Sequence, residues 1–98
     1  MGWKLMSVEK SPIATKKWRA NFFDKENDKR KHTDFGSAGM DDFTITNDVR
    51  RRELYRQRHS KDLKTVDPTR PGYLSMYLLW NKKTLHASIS DYKKIFNM

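Results

Sequence analysis

Residues 15–24, TKKWRANFFD, alternate along their length: Trp18, Ala20 and Phe22 fall on one side, Lys17, Arg19 and Asn21 on the other. A period of two marks a half-buried strand. KENDK then supplies a polar turn and RKHTDFG a return strand, so residues 15–35 predict a β-hairpin. Upstream, residues 1–14 carry mixed signals and end in SPIA, which predicts an extended arm pinned by Trp3. Downstream, GSAGMDDFT predicts a loop that bends at Gly36 and Gly39.

From residue 47 the pattern turns helical. Asn47 suits an N-cap and Asp48 the positive end of the helix dipole, opening a helix over about residues 47–59. SKDLKTVDPTRPG follows as a polar connector stiffened by Pro68 and Pro71. In YLSMYLLWN the apolar side chains surround the helix axis and only Ser75 breaks the ring, so residues 71–80 predict a buried helix at the centre of the core, with a strand as the alternative for so short a run. Thr84 caps a last helix, about 84–97, on which Leu85, Ile89, Tyr92 and Phe96 form one apolar stripe. The expected architecture is α+β: an N-terminal hairpin packed on two or three C-terminal helices, in a single domain spanning residues 15–98.

A chain of 98 residues with 36% hydrophobic and 12% aromatic content suffices for one modest core. The net charge of +9 favours acidic partners: nucleic acid, an anionic surface or an acidic protein face. No cysteine is present, which excludes disulfides and thiolate metal sites and fits a reducing intracellular compartment. No apolar run approaches the roughly 20 residues of a membrane span, so no membrane partner is expected. The chain begins Met-Gly, but Met6 stands where a myristoylation signal wants Ser or Thr.

The densest charge lies in NDVRRRELYRQRHS, which places five arginines between Arg50 and Arg58. On a helical wheel with Arg50 at zero, Leu54 lies near about 40°, Arg58 about 80°, Arg51 about 100° and Tyr55 about 140°. Arg51 and Arg58 are thus bracketed by the two large apolar residues and are expected to face inward. A buried guanidinium needs a partner, and Asp41, Asp42 and Asp91 are the acids available for structural ion pairs. Arg52 and Arg56 lie on the far side and are expected to face outward, as a solvated face or a phosphate-contacting stripe.

Candidate chemistry is sparse. Asp41 and Asp42 beside His32 or His59 do not make a metal site, because adjacent residues of an extended loop point apart while such sites need converging carboxylates. GSAG matches a phosphate-clamping Gly-x-x-Gly loop, but Asp41 and Asp42 follow directly and would repel phosphate. Neither a nucleophile triad nor a Walker loop is present, so no catalysis, cofactor or metal is expected. Lys17, Arg19, His32 and Arg30 share a strand face on which Phe23 either stacks on unpaired bases or closes the core.

The string HTDFGSAGMDDFTITNDVRRRELYRQRHS, followed by DP and YLLWNKKTLHASISDYKKIF, resembles a family of small, basic, uncharacterised proteins encoded by large nucleocytoplasmic DNA viruses. The resemblance covers residues 32–96; Arg52, Tyr55, Arg58 and His59 occupy positions of its Arg-x-x-Tyr-x-x-Arg-His pattern. It carries no activity. It implies a viral protein of the virion, host cytoplasm or viral factory. The resulting expectation is a non-enzymatic polyanion binder, DNA favoured, with phosphate contacts from Lys17, Arg19, Arg30, Arg52, Arg56, Lys82 and Lys83. The alternative is a virion structural or adaptor protein whose partners are acidic virion proteins.

Overall fold

A computed structural model describes residues 2–98. Three antiparallel strands come first, β1 (Trp3–Lys10), β2 (Lys16–Asp24) and β3 (Lys29–Ser37), in the spatial order β1-β2-β3. β2 and β3 form the hairpin, with Trp18 opposite Phe35 and Phe22 opposite Lys31. Its turn is held by Asp24, whose carboxylate accepts from the backbone N–H of Glu26 at 3.1 Å and from the Asn27 amide at 2.8 Å. Asp28 adopts a left-handed conformation, φ 50°. Asp and Asn side chains that bond the backbone two residues on fold such turns locally.

The first fourteen residues are not an arm. Trp3 to Lys10 pair with β2 as the edge strand of the sheet, Leu5 opposite Phe22 and Val8 opposite Ala20; Met1 lies outside the described residues. The register slips between Leu5 and Ser7, a β-bulge at Met6. One extra residue there converts the inward spacing from two to three, so Trp3, Leu5 and Val8 share a face although they break strict alternation.

The inner face of the sheet buries Leu5, Ala20, Phe22 and Phe35. A short helix α1 (Phe43–Thr46) follows the β3 loop, capped by the Asp42 carboxylate on the Thr44 N–H at 2.9 Å. Asn47 is not the N-cap of the arginine helix. It closes α1 in a left-handed conformation, φ 52°, with its N–H on the Phe43 carbonyl. Asp48 caps α2 (Val49–Arg58) instead, accepting from the Arg51 N–H at 3.1 Å. Two helices so closely spaced leave one residue to end the first and the next to start the second.

A 3-10 turn, Ser60–Thr65, leads to α3 (Pro71–Leu74), which widens into a π turn over Ser75–Leu79. There the Trp80 N–H reaches the Ser75 carbonyl, five residues back, at 3.1 Å. This segment is the centre of the core: Leu74, Met76, Leu78, Leu79 and Trp80 are all buried. The last helix, α4 (Leu85–Ile95), is capped by Thr84 on the Ala87 N–H and packs through Tyr92, with Leu85, Ile89 and Phe96 half-buried beside it. Tyr92 donates its hydroxyl to the Pro68 carbonyl at 2.7 Å, tying the connector to the core. The sheet and helices make one small α+β domain. Among the described residues no helix is long and apolar enough to cross a membrane.

Candidate functional site

The arginine helix divides, but the opposite way from the wheel. Tyr55 anchors α2: it stacks on Trp80 with ring centroids 4.5 Å apart, while Leu54 is 50% exposed. Arg52 and Arg56 flank Tyr55 on the packed side. Arg56 donates to the carbonyls of Met76 at 3.1 Å and Trp80 at 3.0 Å, and its guanidinium lies 5.4 Å from the Tyr77 ring centroid. Arg52 donates to the Asn81 carbonyl at 3.1 Å, lies over Phe43 at 4.7 Å and pairs with Glu53 at 2.9 Å. The partners of the inward arginines are thus the free carbonyls at the end of the π turn, where a helix terminus lacks donors and carries partial negative charge.

Several other expected contacts are corrected. Lys17 is held by Asp42, with side chains only 14% and 3% exposed, and is not available to phosphate. Arg19 is locked in a two-pronged pair with Asp34, Nε–Oδ1 3.0 Å and Nη2–Oδ2 3.2 Å. That pair and the Ser11 hydroxyl hold the Asp34 carboxyl below the ordinary carboxylate range. Asp91 receives the Asn81 amide at 2.7 Å and pairs with no arginine. Arg58 forms no salt bridge among the described residues, and Arg51 meets Asp41 only at 3.5 Å between exposed side chains. Of the remaining expected contacts, Arg30, Lys82 and Lys83 are exposed, with Arg30 lying over the half-buried Phe23 at 4.9 Å.

What the fold brings together is a cleft of about 600 Å³ between the β3–α1 loop, α2 and the start of α3. Arg51 and Arg58 line it, one above the other two turns apart on α2, and Lys16 and Lys17 come from the start of β2. Asp41, Asp42 and Asp62 also line it, as do Met40 and Leu54. On the helix side it reaches a three-ring stack. His59 lies on Tyr55 at 4.2 Å, Tyr55 lies on Trp80, and the His59 Nδ1 sits 3.2 Å from an Asp62 oxygen. Burial pushes the Tyr55 phenol above its ordinary value, with a hydrogen bond to Ser75 opposing it.

Lys16 and the His59–Tyr55–Trp80 stack were missed by sequence reasoning. The signal for the stack was present: residues 52, 55, 56 and 59 recur at the three- and four-residue spacing of one helix face. No cluster of three or more metal-ligating side chains exists among the described residues.

Residues 6–59 match the family of unknown function DUF5754. The chain belongs to this family. The matched span runs from the bulge of β1 through the whole of α2 to His59, and so contains β2, β3, most of β1, the arginine helix and most of the cleft lining. No curated protein and no solved structure matches the chain.

Proposed function

We propose that this DUF5754 protein is a non-enzymatic polyanion-binding protein, DNA the favoured ligand, and that it works in the nucleoprotein or virion interior of a large DNA virus. The setting rests on the sequence resemblance described above. The binding rests on one observation: Arg51, Arg58 and Lys16 converge on an open cleft and are left almost unpaired. Of the cleft's three acids, Asp42 is held by Lys17 and Asp62 by His59; among the described residues only Asp41 pairs with one of these cations, Arg51, at 3.5 Å with both side chains about half exposed. Such a surface pair contributes little and is readily exchanged. A phosphate offers each guanidinium a charge-assisted, two-pronged partner in its place. Arg30, Lys82 and Lys83 are exposed too, Arg30 at the far end of the hairpin from the cleft.

Binding to duplex and single-stranded DNA across a salt series tests the proposal. Affinity falls steeply with salt, because each neutralised phosphate releases condensed counterions. The double change Arg51→Ala/Arg58→Ala lowers the slope of log affinity against log salt by roughly 2 on duplex DNA. It weakens unrelated sequences alike, since phosphates carry no sequence information. Absence of binding near about 50 mM salt overturns it.

A second reading is supported by the exposure of Met40 and Leu54, 64% and 50%, on the lining of the same cleft. Phosphate gains nothing from such apolar groups, whereas an acidic protein partner would cover them. On this reading the molecule is a virion adaptor, and DNA binding is weak and indifferent to Arg51 and Arg58.

A further inference from the structure

The ring stack gives the cleft a second kind of chemistry. Trp80 and His59 both lie parallel to Tyr55, at 4.5 and 4.2 Å with interplanar angles of 10° and 24°. Two rings that overlap a third at these distances must occupy its opposite faces. The order is therefore Trp80, Tyr55, His59, running from the core to the surface. Trp80 is 8% exposed and the His59 side chain 37%. The outer face of the imidazole carries no aromatic partner among the described residues, and His59 lines the cleft. Asp62, bonded to Nδ1 at the ring edge, fixes the ring plane.

We infer that the cleft seats an unpaired base of single-stranded nucleic acid, stacked on the outer face of His59, with flanking phosphates on Arg51, Arg58 and Lys16. This rests on the polyanion reading above and narrows it. Stacking on an aromatic face flanked by cations is the general mode of single-strand binding, tolerant of sequence because every base has a π-face. A cleft of about 600 Å³ is the size of a small-ligand pocket. It admits one base, whereas the convex surface of a duplex does not enter it. The carboxylate of Asp41 and the hydroxyl of Ser37 line the cleft too and offer hydrogen-bond partners to a base edge. The outer face of the sheet is the poorer platform. Phe23 there already has the Arg30 guanidinium over it, the exposed His32 imidazole is braced by no second ring among the described residues, and the neighbouring Lys4 ammonium is bonded to the Asn97 carbonyl at 3.1 Å.

The test compares a short labelled oligothymidylate with an abasic oligonucleotide of the same phosphate count, a duplex of that length and polyglutamate. Wild type binds the oligothymidylate roughly thirtyfold tighter than the abasic strand, the middle of the range for one stacked base. His59→Ala brings the two strands together without weakening the abasic one. His59→Phe, which keeps a stacking face and gives up the bond to Asp62, restores the difference. Equal binding of the two strands by wild type, or tighter binding of the duplex, overturns the inference and leaves the polyanion reading standing. An unchanged preference in His59→Ala also overturns it. No binding of any strand near roughly 50 mM salt removes both readings. Polyglutamate binding as tightly as the oligothymidylate overturns the inference in favour of an acidic protein partner.

Discussion

Arg56→Ala isolates the half of the arginine helix that faces the core. The native side chain donates to two carbonyls, of Met76 and Trp80, at the end of the π turn, and its guanidinium lies over Tyr77. Alanine leaves both carbonyls without their charged donor. A hydrogen bond to a charged group contributes about 1.5–3 kcal/mol. A cation at a helix C-terminus adds about 0.3–1 kcal/mol, and a cation over a ring about 0.5–1 kcal/mol. The terms overlap and the site is only part-buried, so the expected loss is about 2–3 kcal/mol rather than their sum. For a domain of this size that lowers the melting temperature by on the order of 10–20 °C. Lysine in its place keeps the charge but not the planar fork, and falls between alanine and wild type. Arg50→Ala and Arg58→Ala, both exposed, change stability by no more than about 0.5 kcal/mol. Thermal and urea melts of the four variants decide the matter. Arg56→Ala melting with Arg58→Ala would refute the inward assignment and return the helix to a uniformly solvated one.

Three further outcomes follow from the packing. Trp80→Ala, removing a buried ring that also carries Tyr55, costs about 3–5 kcal/mol, and near-native melting of that variant would contradict the core described here. Gly36 and Gly39 share a left-handed backbone, φ 78° and 81°, but a Cβ at Gly36 comes within 2.8 Å of Leu79 Cδ1 while one at Gly39 meets nothing within 4 Å. Alanine at both sites incurs about 1–2 kcal/mol of backbone strain, so Gly36→Ala must be the more destabilised in a paired denaturation experiment. Asp24, Asp34 and Asp67 all titrate below the ordinary carboxylate value in the fold: Asp34 through its Arg19 pair, Asp24 through the Asn27 amide, and Asp67 against its burial, through the Thr69 bonds and the Lys31 and Arg70 charges together. Their stabilisation is complete above the unfolded value of about 3.9 and is lost as pH falls through the lowered folded values. Melting temperature therefore drops below about pH 4, and Asp34→Asn makes that drop shallower; an identical acid profile in the variant would dismiss the pair.

Elements with a regular period were legible in the sequence, and those with a local irregularity were not. The β2–β3 hairpin follows from strict alternation, and α4 from an unbroken apolar stripe behind a Thr84 cap. β1 has the same inward apolar residues, but the bulge at Met6 shifts Val8 out of phase, and alternation is lost where pairing is not. The Asn47–Asp48 pair was read as a single helix start because α1 spans only four residues, too few for a periodic signal. Neighbouring carbonyls are invisible to a helical wheel. The wheel ranked α2 by hydrophobicity and sought carboxylates for the inward arginines, whereas the fold buries Arg52 and Arg56 against backbone oxygens that any sequence would supply. Tyr55 lies at the centre of the observed face, with Arg52, Arg56 and His59 at helical spacing around it.

That choice of partner has an electrostatic consequence. An arginine packed against a carboxylate is neutralised where it stands and contributes little field beyond its own pair. One bonded to carbonyls keeps its full charge, because the partner is a dipole. Arg52 is offset by Glu53, but no acid pairs with Arg56 among the described residues. Arg56 therefore adds a fixed positive charge, held partly out of solvent, behind the more mobile exposed cations Arg50, Arg51 and Arg58 on the same ten-residue helix. Charges shielded from water are screened less by salt than those on the surface. The structural half of the arginine run thus raises the potential of the half that faces the cleft. Of the two arginines that hold this short helix to the core, Arg56 does so without cancelling its charge.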